Sequence, residues 1–136
     1  MNKKCVISAV VMFIMAFALS FFVHGYLLFN DYAAAGGMRP PEQAHGLMHW
    51  MIVAQVLFSC AFAWVYVQGK NDRPWLGQGL RFGIAIAFLT VIPTYLIYHV
   101  VTPVPFALAI KQIVYDTIRV VLMGVVLAWI NRWRSA

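Results

Sequence analysis

Charge is what this sequence has least of. Asp, Glu, Lys and Arg make up 10% of its 136 residues against 63% hydrophobic, too few to solvate the surface of a soluble globular domain, so that class is excluded. Cysteine is equally scarce. Cys5 sits at the edge of one apolar run and Cys60 in the middle of another, which rules out a disulfide framework, leaves no metal-type spacing and marks both as packing residues. Nor is there a phosphate loop, a C-x-x-C, a paired zinc motif or a nucleophile and base at diagnostic spacing. The expectation is a protein that is not an enzyme.

What the sequence does have is length without polarity. Four apolar runs, about 5–29, 45–67, 77–101 and 106–130, are separated by short polar breaks. A hydrocarbon core about 30 Å thick takes roughly 20 helical residues, so each run is long enough to cross it. Little remains outside them, and residues 1–136 read as a single all-α domain: an integral membrane four-helix transmembrane bundle with up-down topology. Tyr26-Leu27-Leu28-Phe29 is similar to Tyr95-Leu96-Ile97-Tyr98, and Ala63-Trp64-Val65 to Ala128-Trp129-Ile130. These matches leave open two repeated helical hairpins related by an axis along the membrane normal. Asn2-Lys3-Lys4 and Ala16-Phe17-Ala18 have the look of a signal peptide, but the apolar run continues through Phe29 with no polar region, so it reads as an uncleaved first span.

The formal charge of +6 does not point to nucleic acid, because the cations gather at the ends of alternate spans. Lys3 and Lys4 precede the first, Lys70, Arg73 and Arg81 flank the second connection, and Arg132 and Arg134 follow the fourth. The other two connections hold Arg39 alone. By the positive-inside rule both termini and the 68–77 connection are cytoplasmic, and loops 30–44 and 102–105 face outward. Trp64, Tyr66 and Gln68 fit an interfacial belt. Gly36-Gly37 and Pro40-Pro41 stop any helix that passes Asn30 and Asp31, leaving a segment long enough to fold back as a lid. Gly79 and Gly83 allow close helix packing. Pro93 predicts a kink near Ile92, with Thr90 or Thr94 placed to satisfy the freed polar groups.

Function is most legible in the last span, which carries Lys111, Gln112, Asp116 and Arg119. An isolated charge at the centre of a span costs on the order of 3 kcal/mol, so these side chains are expected to turn inward. The four histidines all fall in the outer half: His24 on the first span, His45 and His49 opening the second at a spacing that places them on one helical face, and His99 on the third. Gln55 lies near the middle of the second. In a compact bundle His24, His49, Gln55, His99, Lys111, Gln112, Asp116 and Arg119 converge on a pocket opening outward beneath the 30–44 loop, with Asp31, Glu42, Tyr26, Tyr95, Tyr98 and Tyr115 nearby.

Three readings stay open. One is a non-enzymatic protein whose outward polar pocket binds a small ligand or ion. Another is an accessory or structural subunit of a larger membrane complex, in which Asp116, Arg119 and Gln112 fix helix register. The third is metal or haem binding, with His45 and His49 as ligands completed by His24, His99 or Asp116. The cofactor is otherwise unknown; the expected partners are the lipid bilayer and either other membrane subunits or a second copy of the chain, not nucleic acid.

The four spans with His24-Gly25, Gly77-Gln78-Gly79-Leu80-Arg81-Phe82-Gly83, Pro93-Thr94-Tyr95-Leu96, and Lys111-Gln112-Ile113 followed by Asp116 resemble a family of small bacterial inner-membrane proteins of unknown function. The resemblance runs over nearly the whole chain. It implies the four-span fold and the inner-membrane location, and it carries no catalytic residues.

Overall fold

The computed structural model describes residues 2–132, so Arg134 lies outside the described residues. Every regular element among them is helical. In chain order these are α1 (Lys3–Phe22), a π-turn (Val23–Leu27), α2 (Phe29–Ala35), α3 (Pro41–Gly46), α4 (Met48–Gly69), α5 (Trp75–Ile86), a second π-turn (Ala87–Val91), α6 (Ile92–Val101) and α7 (Phe106–Asn131). Joined through the π-turns, they give four spans long and apolar enough to cross a bilayer: Lys3–Leu27, Met48–Gly69, Trp75–Val101 and Phe106–Asn131. The chain is a multi-pass membrane protein with an all-α, four-helix architecture. Asn131 Nδ2 donates to Ser8 Oγ at 3.0 Å, bringing the two ends of the chain to one end of the bundle. That end is called the terminal end below, and the opposite one the loop end.

The last helix is the axis of the packing. It lies against α1, α5 and α6, while α4 packs on α1. The contact between α5 and α7 is made possible by glycine. A Cβ on Gly83 would stand 2.5 Å from Val121 Cα, and one on Gly124 would stand 2.6 Å from the Gly79 carbonyl oxygen. The small residues therefore serve packing inside the chain, letting two backbones touch where any side chain would hold them apart. The main apolar core, with Met12, Ala16, Phe62, Ala63, Val120, Met123 and Leu127 buried, runs through the middle of the bundle. Phe82 meets Phe62 and Tyr66 edge-on at 4.8 and 5.2 Å, closing α4 onto α5.

Both π-turns have local causes or consequences that matter for the site. Pro93 has no N–H and crowds the carbonyl four residues back, and the wider turn at Ala87–Val91 absorbs this just before it. Thr90 Oγ1 donates to the Ile86 carbonyl at 2.8 Å, and the departure from regular α-helix lies directly before Ile92 and Pro93. In the first span the Leu28 N–H reaches the Val23 carbonyl at 2.9 Å, and this π-turn re-aims the residues around His24 before the chain turns into α2.

The second span departs from expectation at its start. A helix from 45 onward would have stacked His45 under His49, but the chain ends α3 at Gly46, passes through Leu47 at φ −104° and ψ 1°, and starts α4 at Met48. Glycine is the residue that most readily ends a helix. The two imidazoles consequently sit on different helices, and both residues are exposed.

Candidate functional site

Asp116 lies about ten residues into α7 from Phe106, roughly 15 Å along the helix axis. Gln112 precedes it by one turn and Arg119 follows by three residues, so all three share a face of α7. Asp116 is buried. Its Oδ2 lies 3.2 Å from His24 Nε2 and accepts a short hydrogen bond from the Tyr95 hydroxyl, which itself is 3.3 Å from His24 Nε2. Tyr95 comes from α6, half a turn beyond Pro93, and His24 from the first π-turn.

The network continues through His24. Its Nδ1 is 2.6 Å from the Tyr32 hydroxyl, and Tyr32 accepts from Gln112 Nε2 at 2.9 Å. One arrangement of protons fits these contacts: His24 donates from Nε2, shared between Asp116 and the Tyr95 hydroxyl oxygen, and accepts at Nδ1 from Tyr32, while Tyr32 accepts from Gln112 and Tyr95 donates to Asp116. Burial raises the Tyr32 phenol above its ordinary value of 10.0; the Gln112 hydrogen bond opposes this, and the charges of Asp116 and Asp31 add to it. Tyr32 thus stays a phenol and keeps the proton it donates to His24.

On the other side of the carboxylate the arrangement is incomplete. Asp116 Oδ1 faces Arg119 Nε at 3.1 Å, an ion-pair distance, yet the two are not aligned as a hydrogen bond. Both atoms are buried and have no hydrogen-bond partner among the described residues; the same holds for Thr117 Oγ1, about 100° further around α7 from Asp116. Buried polar atoms are nearly always paired, so the carboxylate oxygen and the guanidinium nitrogen that face each other here mark a place with unused capacity to donate and accept. The charge there is balanced, carboxylate against guanidinium.

Toward the loop end the cluster is roofed by apolar side chains. Val23, Leu28 and Leu108 are buried together, with Tyr32, Ala35, Val104 and Tyr115 packed against them. Lys111 donates to Asp31 at 2.8 Å across this rim, with half of its side chain exposed. The pair holds α2 against α7. His24 is the group nearest to access, its side chain 27% exposed against 3% for Asp116.

No protein-family model, curated protein or solved structure matches this chain. The site therefore stands on its own geometry. Of the residues expected to converge, His24, Gln112, Asp116 and Arg119 do so, and Lys111 stands at the rim. The other three do not. His99 donates from Nδ1 to the Val104 carbonyl at 2.7 Å and lies beside Phe106. The hairpin it braces contains Pro103 and Pro105, which supply no N–H, so a side chain takes that role. Exposed His49 stacks beside Trp50 at 5.2 Å. Half-buried Gln55 makes no side-chain hydrogen bond to the cluster; its carbonyl accepts from Ser59 Oγ at 2.7 Å.

Among the described residues no three His, Cys, Asp or Glu side chains come close enough to hold a metal ion, and His45 and His49 are separated by the break at Leu47. Conversely, sequence reasoning passed over Tyr32, the residue that links His24 to Gln112. It lies just beyond Asn30 and Asp31, where the helix was expected to end, and only the short α2 folded back on α7 makes it internal.

Proposed function

We propose that this chain is a non-enzymatic membrane protein that binds a small polar ligand or ion at the Asp116 cluster, reached from the loop end past His24. The observation that carries this reading is the pair of buried atoms Asp116 Oδ1 and Arg119 Nε, which face each other at 3.1 Å and have no hydrogen-bond partner among the described residues. A ligand that both donates and accepts would satisfy them at once, and the balanced charge of the carboxylate and guanidinium favours one without net charge. The distribution of cations supports a topology with the termini in the cytoplasm and the loop end outside, and the resemblance noted above supports a bacterial inner membrane.

The test uses small probes. The melting temperature of the detergent-purified protein is measured with acetamide, formate and ammonium added in turn, for the wild type and for Asp116→Asn. Stabilisation of the wild type by acetamide that disappears in Asp116→Asn supports the reading. Equal responses of the two proteins to all three would remove it.

A second reading, an accessory subunit of a larger complex, is favoured by the loop-end half of α4. Met48, Trp50, Met51, Ile52, Val53, Val56 and Leu57 are all exposed there, an apolar surface that suits either lipid or another membrane helix. Gentle solubilisation that yields a stable larger assembly supports it, and a monodisperse lone monomer counts against it.

A further inference from the structure

A separate site lies at the terminal end, some distance along the bundle from Asp116. A cleft of about 500 Å³ opens where α4 ends and α5 begins, lined among others by Lys70, Asn71, Arg73, Trp75, Gln78 and Arg132. An adjoining cleft of about 260 Å³ shares Asn71, Arg73 and Gln78 and adds Arg81, Val65 and Phe82. Asp72 also lines the first cleft, so four cations face the pair of clefts against one acid.

The loop between the helices is held in shape by the side chains of Gln78 and Asn71. Gln78 Oε1 accepts from the Asn71 N–H at 3.1 Å, and its Nε2 donates to the carbonyls of Asn71 and Arg73 at 2.7 and 2.6 Å. Asn71 Oδ1 in turn accepts from the Arg73 N–H at 3.1 Å. Arg73 is thereby anchored at its backbone on the wall between the two clefts. The start of α5 opens on the same place, adding the positive end of a helix dipole and unpaired backbone N–H groups.

The position selects the ligand. The clefts sit level with the ends of two apolar spans, where a bilayer presents its headgroups. Arg132 lies over the rings of Trp75 and Trp129 at 5.9 and 5.0 Å, an aromatic girdle of the kind found at that depth. Val65 and Phe82 extend the smaller cleft from the cations toward the hydrocarbon region. Basic clefts between membrane helices bind phosphorylated headgroups. We propose that this double cleft holds the phosphate headgroup of an anionic phospholipid, with its glycerol and first methylenes along Val65 and Phe82.

Native mass spectrometry of the protein in a neutral detergent tests this, with phosphatidylglycerol, phosphatidylcholine or inorganic phosphate added. Phosphatidylglycerol is retained over phosphatidylcholine, and the Arg73→Gln, Arg81→Gln double variant loses about fivefold in retention per cation removed. Arg39→Gln, exposed toward the loop end, retains the lipid as the wild type does. An unchanged melting temperature for the double variant confirms that it is folded. Equal retention of the two lipids, or a double variant that binds like the wild type, overturns the proposal. So does full displacement of phosphatidylglycerol by inorganic phosphate, which would make this a site for a free anion.

Discussion

His24 Nε2 meets Asp116 Oδ2 at 3.2 Å across 92 residues of sequence, and the same carboxylate faces Arg119 through its other oxygen. The first and last spans are thus joined by a polar contact inside an apolar bundle. Such a contact is weak evidence for stability in itself, but breaking it from one side leaves a buried charge without its counterpart.

Asp116→Ala is therefore expected to destabilise the protein by about 3 kcal/mol or more, measured by reversible unfolding in mixed micelles. Adding Arg119→Met removes the stranded cation, and the double variant should recover part of that loss and fall short of the sum of the single effects. Strict additivity would mean that the two side chains do not interact.

Tyr32→Phe removes the hydroxyl that His24 and Gln112 share, with an expected cost of about 1–3 kcal/mol for the donor and acceptor left unpaired. The sign of its pH dependence follows from the raised phenol. The folded state holds the protonated form preferentially, so this contribution is whole below the ordinary value of 10.0 and is lost as pH rises through the higher folded value. Unfolding midpoints should fall above pH 10.0 more steeply in the wild type than in Tyr32→Phe. Parallel curves would place Tyr32 outside the network.

Gly83 and Gly77 form a contrasting pair on α5. A Cβ at Gly83 meets the α7 backbone at 2.5 Å, whereas one at Gly77 meets nothing within 4 Å. Gly83→Val should cost about 2 kcal/mol or more by forcing the helices apart. Gly77→Ala should be neutral or stabilise by up to about 1 kcal/mol through helix propensity. The same unfolding assay reads both, and a tolerated Gly83→Val would show that α5 and α7 are not in backbone contact.

The fold was legible because its determinants are local or compositional. Run length announces the four spans, Pro93 a break in the regular helix of the third, and the Gly79 and Gly83 spacing a close helix crossing. The site was half legible. Burying Asp116 and Arg119 in lipid is costly enough to predict that they point inward, but the choice of partners depends on chain breaks of one or two residues. The turn at Leu47 puts His45 and His49 on separate helices, and the proline-rich hairpin claims His99 for its own carbonyl. The π-turn at Val23–Leu27 and the fold-back of α2 bring Tyr32 in, and no side-chain period announces either. Histidines expected at one depth therefore did not share a site.

Side-resolved labelling of Gln112→Cys bears most directly on whether the Asp116 cluster is a site open to small molecules. Gln112 is buried on the Asp116 face of α7, one turn toward the loop end. With Cys5 and Cys60 replaced by alanine, the new thiol in oriented proteoliposomes is exposed to a small charged thiosulfonate from each side in turn. Reaction from the loop side alone is the predicted result, and a thiol that stays unreactive from both sides would contradict it.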